Sequence, residues 1–346
     1  MDDTAPIRPD ERFDENRVAA YLHEHLPELV GDAPIEFAQF PGGAANLTYL
    51  AKAGDTEIVL RRAPHGELAK GGHDMEREYR VLSRLWRRFP KAPRAYHYCA
   101  DADVMGKPFF VMERRHGSVI RERWPDEVGS STQLRRKVAG ELVDTLAELH
   151  SVDPIDVDLD TLGRPEGFVG RQVRGWLGRW EAAKTRDVPA MTRAAALLES
   201  GLPEPQATVI LHNDFKLDNT MFSGDGELVA VFDWDMATRG DPLVDVGTLL
   251  AYWADPEAPT YPIFGERAVA LAPYMNRDEV KARYRDATGF DLSSIRYYEG
   301  LAYYRIAVII EQIYARYVRG QTADERFARF EPLAPILADA ALAVLS

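Results

Sequence analysis

The chain has 346 residues, of which 46% are hydrophobic and 28% are charged, so it can bury a substantial core as one or two domains. Its formal charge of −13 argues against a nucleic-acid-binding surface, and its single cysteine, Cys99, excludes an internal disulfide and a cysteine-rich zinc site. The acidic N-terminus lacks the apolar core of a signal peptide, and no window approaches the ~20 apolar residues of a membrane span. We therefore expect a cytoplasmic protein that binds neither nucleic acid nor membrane.

The first third of the chain is rich in short β-type segments. An N-terminal helical extension is predicted over residues 1–30. Strands are then predicted over residues 35–40, 48–53, 57–62, 94–100 and 108–113. One amphipathic helix is predicted among them, over residues 75–88. These elements predict a small β-rich lobe over residues 31–115.

The character of the sequence changes near residue 117, and long helical patterns follow. Helices are predicted over residues 131–151, 170–186, 188–200, 277–288, 292–318 and 333–345. Two short apolar runs, 219–222 and 228–233, interrupt them and are joined by a turn at 223–226, which predicts a β-hairpin. We predict an α+β fold in which the β-rich lobe precedes a larger, mostly helical lobe over residues 116–346.

Three polar residues recur at a spacing typical of phosphoryl-transfer sites: Asp214, Asn219 five positions later, and Asp233 fourteen positions beyond that. A hydroxyl nucleophile needs a carboxylate that orients it and accepts its proton, and Asp214 suits that role. The Mg²⁺ ion of a nucleotide prefers hard oxygen ligands, which the amide of Asn219 and the carboxylate of Asp233 can supply. The predicted hairpin would bring Asn219 and Asp233 together at one end.

The run LHNDFKLDN at residues 211–219 resembles the catalytic loop of the protein-kinase-like superfamily, and Asp233-Trp234-Asp235 resembles its metal-binding motif. The second motif is closest to the aminoglycoside phosphotransferase and choline kinase branch. Four further segments resemble one subgroup, the kinase-like domains that also occur fused to acyl-CoA dehydrogenases; they are residues 41–49, 59–62, 73–82 and 233–242. The resemblance implies a protein-kinase-like two-lobe fold with Mg²⁺ and ATP bound in the cleft between the lobes. It also implies phosphoryl transfer to a small-molecule hydroxyl.

The loop at residues 41–46 lies between two predicted strands, and the resemblance makes it the segment that covers the nucleotide phosphates. Small residues such as Gly43 let backbone N–H groups approach a phosphate closely. Asn46 and Thr48 could add hydrogen bonds from their side chains. We therefore predict Gly43, Asn46 and Thr48 as nucleotide-binding residues.

No lysine is present where kinases place the one that holds the nucleotide phosphates. Arg61 follows two apolar residues as that lysine does, whereas Arg62 would point to the opposite face of the strand. Arginine keeps the charge and offers forked donors to phosphate. The resemblance places the glutamate partner on the following helix, at Glu78, with Glu76 as the alternative. It also makes the segment from Glu113 to Arg115 the hinge, whose main-chain groups would contact adenine.

The resemblance assigns roles to further polar residues of the helical lobe. Lys216 occupies a position where the family carries a cation, and its charge would act on the transferred phosphoryl group. His212 would have a structural role beneath the loop. Asp235 is either a second metal ligand or a cap for the next segment. Asp241 and Asp245 precede an apolar helical run, so we expect them to fix the backbone there.

The resemblance also bears on the phosphoryl acceptor. It points to a hydroxyacyl compound, or its CoA ester, ahead of an aminoglycoside or choline. A polycationic antibiotic needs convergent carboxylates and a trimethylammonium group needs an aromatic cage, and the sequence contains candidates for each. A non-catalytic nucleotide-binding pseudokinase is the alternative from another class, favoured only by the arginine at position 61. The absence of a flavin-type fingerprint excludes an acyl-CoA dehydrogenase, and the sequence leaves the oligomeric state open.

Overall fold

The computed structural model describes residues 3–41, 46–64, 74–121, 123–255, 275–322 and 325–346. The chain divides into two compact units. The first unit comprises Met1–His116 together with the short segments Val157–Leu159 and Val229–Ala237. The second unit comprises Gly117–Asp156, Asp160–Leu228 and Thr238–Ser346.

The first unit is built on a five-stranded antiparallel sheet in the order β1-β2-β3-β5-β4. Its strands are β1 (Ile35–Gln39), β2 (Leu47–Ala53), β3 (Thr56–Arg62), β4 (Ala95–Cys99) and β5 (Phe109–Glu113). Its helices are α1 (Glu15–His25), α2 (Pro27–Val30), α3 (Met75–Leu85) and α4 (Ala102–Met105). In the register of β2 with β3, Thr48 lies opposite Arg61. Because side chains alternate along a strand, Arg61 and Arg62 point to opposite faces of the sheet.

Helix α3 begins at a capped N-terminus and turns one face toward the core. The carboxylate of Asp74 accepts a hydrogen bond from the backbone N–H of Arg77, 3.0 Å away, which satisfies one of the free donors of the first turn. The buried positions of the helix are Met75, Glu78, Val81, Leu82 and Leu85, at the three- and four-residue spacing of one helical face. An ionisable side chain, Glu78, therefore lies on an otherwise apolar face.

Arg62 is fully buried and joins the N-terminal segment to the sheet. Its guanidinium donates hydrogen bonds to the main-chain oxygens of Glu11 at 2.7 Å and Met105 at 2.8 Å. It also donates to the hydroxyl of Tyr49 at 3.0 Å. A buried charged group is tolerated when its donors form hydrogen bonds, and these contacts use most of the N–H donors of the Arg62 guanidinium. Arg62 is thus committed to holding the first unit together.

The second unit is mostly helical. Its helices are α5 (Thr132–Ser151), α6 (Phe168–Ala183), α7 (Pro189–Ser200) and α8 (Leu243–Tyr252), followed by Arg277–Thr288, Ile295–Val318 and Leu333–Leu345. Gly247 allows α8 to approach the long helix Ile295–Val318, because a Cβ at this position would lie 2.6 Å from the main chain of Tyr298. Of the helices in the described ranges, none combines the length and the apolarity needed to cross a bilayer.

Short strands position the loops of the second unit. Strand β6 (Ser118–Val119) pairs with β8 (Thr220–Phe222), and β7 (Val209–Leu211) pairs with β10 (Thr238–Gly240), both antiparallel. After β8 the chain turns at Ser223, whose N–H donates to the carbonyl of Glu227 at 2.9 Å. The segment that follows the turn forms β9 (Leu228–Val231).

The predicted α+β fold, with its β-rich and helical parts, is confirmed. The strand predicted over residues 228–233 ends earlier, at Val231, because Asp233 adopts a left-handed conformation with φ 69° that strand pairing does not allow. Strands β6, β7 and β10 were not predicted from the sequence, since two or three residues are too few to show an alternating pattern.

Candidate active site

The loop that carries Asp214 follows β7 and is fixed by a carboxylate beneath it. Asp245, fully buried in α8, accepts hydrogen bonds from the backbone N–H groups of His212 and Asn213, both at 2.7 Å. His150 reaches the same carboxylate at 3.3 Å through Nε2. Nδ1 of His212 in turn lies 3.3 Å from the backbone N–H of Asp214, whose hydrogen bond it accepts. Two residues expected to shape the backbone, His212 and Asp245, therefore contact it directly.

The carboxylate of Asp214 is held by the two other residues predicted for this loop. Lys216 donates to its Oδ2 at 2.6 Å, and Nδ2 of Asn219 donates to the same oxygen at 3.0 Å. Asn219 also donates to the main-chain oxygen of Asp214 at 2.9 Å. The Asp214 side chain stays 21% exposed, so a substrate can reach it. The structure thus brings Asp214, Lys216 and Asn219 into one cluster.

Lys216 is surrounded by groups that keep it charged. Its Nζ lies 4.9 Å from the centre of the Tyr252 ring, within the range of a cation–π contact. Burial works to lower the pKa of Lys216, but Tyr252 and Asp214 outweigh burial, so the pKa lies above its ordinary value. Lys216 is therefore a permanent cation beside the Asp214 carboxylate.

A second cluster of predicted residues forms within the first unit. Nε of Arg61 donates to Oε2 of Glu78 at 2.9 Å, and its Nη2 donates to Oδ1 of Asp233. The other carboxylate oxygen of Glu78 accepts from the backbone N–H of Trp234 at 3.4 Å. Glu78 is 1% exposed, whereas the alternative, Glu76, lies on the exposed side of α3. Arg61 thus lies between two carboxylates.

The charges of this cluster depend on one another. Burial raises the pKa of Glu78 to about 7, and Arg61 opposes that rise. Burial works to lower the pKa of Arg61, but the carboxylates of Glu78 and Asp233 outweigh it and raise the pKa. Arg61 stays protonated, and it is the group that favours the ionised form of Glu78.

Asp233 lies at a turn that is anchored by the residue after it. Trp234 is fully buried, donates from Nε1 to the carbonyl of Val231 at 2.8 Å, and packs edge-to-face on Phe89 with ring centres 6.0 Å apart. Asp233 itself has a positive φ and a side chain that is 30% exposed. Asp235 is buried and adds to the negative charge around Glu78. The fixed tryptophan therefore orients Asp233.

The other nucleotide-binding residues predicted from the sequence have distinct positions. Thr48 is half-buried on the strand beside Arg61, and Asn46 is buried at the start of that strand, while Gly43 lies outside the described residues. Glu113 pairs with Arg115 at 2.9 Å, and its backbone N–H donates to the carbonyl of Arg94 at 2.8 Å. The N–H of Glu113 is thus occupied within the sheet.

The residues predicted to bind Mg²⁺ have suitable oxygen atoms. Both hydrogen bonds of the Asn219 side chain use its nitrogen, and no donor within the described ranges reaches its amide oxygen. The Asp233 carboxylate is partly exposed and carries a negative charge beside Arg61. Amide and carboxylate oxygens are ligands that Mg²⁺ accepts, so each of the two residues offers a donor that fits the ion.

Several residues of the site were not predicted from the sequence. Tyr252 contacts Lys216, His150 contacts Asp245, and Arg305 donates to the side-chain and main-chain oxygens of Asn213 at 3.1 and 2.8 Å. Arg305 carries a signal that could have been used, since it is a single cation in the apolar run LAYYRIAVII. A charge inside an apolar helical run indicates either a partner or a function.

Comparison with known proteins places the chain in a family. The model of the phosphotransferase enzyme family matches residues 36–296. Acyl-CoA dehydrogenase family member 11 of Rattus norvegicus is 31% identical over 331 residues, which cover 93% of this chain and 42% of that protein. Acyl-CoA dehydrogenase family member 10 of Mus musculus is 30% identical over 323 residues, which cover 92% of this chain and 30% of that protein. The chain thus spans less than half the length of these relatives.

A solved structure gives the same assignment. The protein named "putative aminoglycoside phosphotransferase" from Ralstonia eutropha is 28% identical, with a TM-score of 0.79 over 96% of this chain and 99% of that chain. The resemblance inferred from the catalytic-loop and Asp-Trp-Asp motifs is confirmed by these matches. Because the family model covers most of its length, the chain belongs to the phosphotransferase enzyme family.

Proposed function

We propose that the protein is a small-molecule kinase that uses Mg²⁺ and ATP to phosphorylate a hydroxyl group. The observation that carries the proposal is the environment of Asp214. Its carboxylate is partly exposed, it lies on a loop fixed from beneath, and it is flanked by the charge of Lys216 and the amide of Asn219. A carboxylate held this way can orient a hydroxyl group and accept its proton.

Each remaining residue has a role in this proposal. Lys216 supplies positive charge near the reacting group, where developing negative charge is stabilised most effectively by fixed cations. Asn219 and Asp233 would hold Mg²⁺, which when bound neutralises phosphate charge. Arg61, supported by Glu78, would bind phosphate oxygens with the remaining donors of its guanidinium. Catalysis would then come mainly from positioning and electrostatics.

The nucleotide contacts proposed for the first unit also include Gly43, Asn46, Thr48, Glu113 and Arg115. Since the N–H of Glu113 is occupied by Arg94, adenine would be bound by other main-chain groups between Glu113 and Arg115. Thr48 lies on β2 opposite Arg61, and Asn46 directly precedes β2, which supports their proposed role beside Arg61. These contacts follow the family pattern.

For the acceptor, we propose a hydroxyacyl compound, free or as its CoA ester. Two relatives, acyl-CoA dehydrogenase family members 10 and 11, have names that refer to acyl-CoA, which supports an acyl compound as the acceptor.

Two alternatives remain as outcomes of the same test. An aminoglycoside acceptor is supported by the name of the Ralstonia eutropha protein, and a pseudokinase is supported by arginine in place of the usual lysine. The pseudokinase alternative is weakened by the presence of Asp214, Asn219 and Asp233 together. The presence of the general base and both metal ligands in the family order is typical of a catalytically active site.

The test measures ADP release from Mg²⁺-ATP by purified protein over four acceptor classes: hydroxyacyl-CoAs, free hydroxy acids, aminoglycosides and choline. Mass spectrometry of the acceptor would identify the added phosphoryl group, and Asp214→Ala serves as the blank. We expect stimulation by the hydroxyacyl class. Stimulation only by aminoglycosides would overturn the acceptor proposal, and no stimulation in a protein that binds Mg²⁺-ATP would favour the pseudokinase.

We expect Asp233→Asn to weaken Mg²⁺-dependent ATP binding by about 10–100-fold, because a neutral amide replaces a charged ligand. Isothermal titration calorimetry with and without Mg²⁺ measures this, and binding without the metal should change little. Asp235→Asn is the matched control, with the same charge change two residues away. An equal loss in Asp235→Asn would make Asp235 a metal ligand too, and no loss in Asp233→Asn would remove Asp233 from that role.

A further inference from the structure

The residue immediately before Asp214 has an unusual backbone. Asn213 has φ 69°, in the left-handed region, and is one of few non-glycine residues of the described chain with a positive φ. Asparagine enters this region more readily than most residues, but the conformation is still sterically unfavourable for any residue with a Cβ. Such a conformation persists only where surrounding contacts determine it.

Arg305 supplies two of these contacts. Its guanidinium donates from Nη1 to the side-chain oxygen of Asn213 at 3.1 Å and from Nη2 to the main-chain oxygen at 2.8 Å. The two residues are 6% and 5% exposed. No carboxylate of the described residues lies within ion-pair distance of Arg305. Burying a cation without a counter-ion costs free energy unless its donors form hydrogen bonds. The guanidinium of Arg305 uses two of its donors for hydrogen bonds to a single residue of the loop.

A second charged residue holds Asn213 from another helix. The backbone N–H of Asn213 donates to Oδ1 of Asp245 at 2.7 Å, while Arg305 holds both of its oxygens. Asp245 belongs to α8 and Arg305 to the long helix Ile295–Val318, which approach closely at Gly247. The conformation of Asn213 is therefore set by two helices whose relative position is fixed by packing.

We propose that Arg305 is a positioning residue that keeps Asn213 in its left-handed conformation and thereby sets the direction of the Asp214 carboxylate. The inference rests on the proposed function, in which Asp214 is the general base. Arg305 acts through the backbone, since Asp214 receives its own hydrogen bonds from Lys216 and Asn219. A tilt of one peptide at Asn213 would move the carboxylate away from an acceptor hydroxyl.

Two substitutions of Asn213 distinguish the effect of its backbone conformation from the effect of its side-chain contact. Glycine adopts a positive φ without steric penalty, whereas alanine does not. We expect kcat of Asn213→Gly to stay within about threefold of the wild type and kcat of Asn213→Ala to fall about tenfold, the equivalent of roughly 1.4 kcal/mol. ATP binding should be the same in both. Equal losses in the two variants would overturn the conformational argument.

Substitution of Arg305 tests the contact itself. We expect Arg305→Met to lower kcat by roughly 10–100-fold with little change in the Kd for Mg²⁺-ATP, and Arg305→Lys to recover part of the loss. In the Arg305→Met background, Asn213→Ala should add little, because the left-handed backbone conformation that alanine disfavours is already lost. If Arg305→Met fails to fold, the two Asn213 variants test the inference by themselves, because neither of them removes a buried charge.

A measurement independent of activity separates this inference from the proposed function. In Arg305→Met, amide hydrogen exchange of a peptide covering residues 209–222 should be at least about tenfold faster, with unchanged exchange in Arg277–Thr288 as the internal control. Unchanged exchange in the loop would overturn the positioning role. Faster loop exchange in a protein whose wild type transfers no phosphoryl group would leave the positioning role standing and refute the proposed function.

Discussion

We expect Asp214→Ala to reduce phosphoryl transfer by about 10²–10⁴-fold, the range in which a positioned general base contributes to catalysis. The carboxylate is the acceptor for the proton of the substrate hydroxyl, and the neighbouring Lys216 and Asn219 are donors that cannot replace it. Binding of Mg²⁺-ATP should change little, because the proposed phosphate and adenine contacts belong to other residues. Initial rates of ADP release and calorimetric ATP titrations measure the two effects.

Two controls sharpen this result. Asp214→Asn preserves the shape of the side chain and tests the loss of proton acceptance alone, so it should be nearly as inactive as alanine. Asp225→Asn makes the same charge change in an exposed turn of the second unit, where the carboxylate faces Lys137, and should transfer at the wild-type rate. Wild-type turnover in Asp214→Ala would remove this residue from the catalytic role.

Several contacts among the candidate residues could be predicted because they depend on local spacing. Asp214, Lys216 and Asn219 lie within six residues, so a single loop brings them together whatever surrounds it. The choice of Arg61 over Arg62 needed only the alternation of a strand, and Glu78 over Glu76 only the periodicity of a helix. The structure has Arg61 against Glu78, and Arg62 and Glu76 facing away from this contact.

The residues that support the loop could not be predicted in the same way. Arg305 is 92 positions from Asn213, and His150 is 95 positions from Asp245, so their contacts depend on how the helices pack. No local pattern specifies which turn of a 24-residue helix faces a distant loop. The left-handed conformations of Asn213 and Asp233 were also missed, because neither position is a glycine or part of a recognisable turn sequence.

We expect Arg61→Met to lower the free energy of unfolding by roughly 1–2 kcal/mol at pH 8, because the buried Glu78 loses the cation that favours its ionised form. The effect should depend on pH in a definite direction. Burial raises the pKa of Glu78 to about 7 from its ordinary 4.5, so this carboxyl contributes stability at low pH that is lost as the pH rises through about 7. Without Arg61 the pKa of Glu78 rises further, and the loss continues to higher pH.

Urea denaturation at pH 5, 6.5 and 8 measures this dependence, and a double variant shows whether Glu78 is its source. The difference between Arg61→Met and the wild type should be small near pH 5, where Glu78 is protonated in both, and should grow toward pH 8. Arg61→Met combined with Glu78→Gln has no titrating carboxyl at this position, so it should lack the loss of stability with rising pH that Glu78 gives both the wild type and Arg61→Met, and its deficit at pH 8 should be smaller than that of Arg61→Met. Glu76→Gln, an exposed neighbour on α3, should stay within about 0.5 kcal/mol of the wild type. A deficit of Arg61→Met that is equal at every pH would show that Arg61 does not control the ionisation of Glu78, and its role would then be limited to the contact with Asp233.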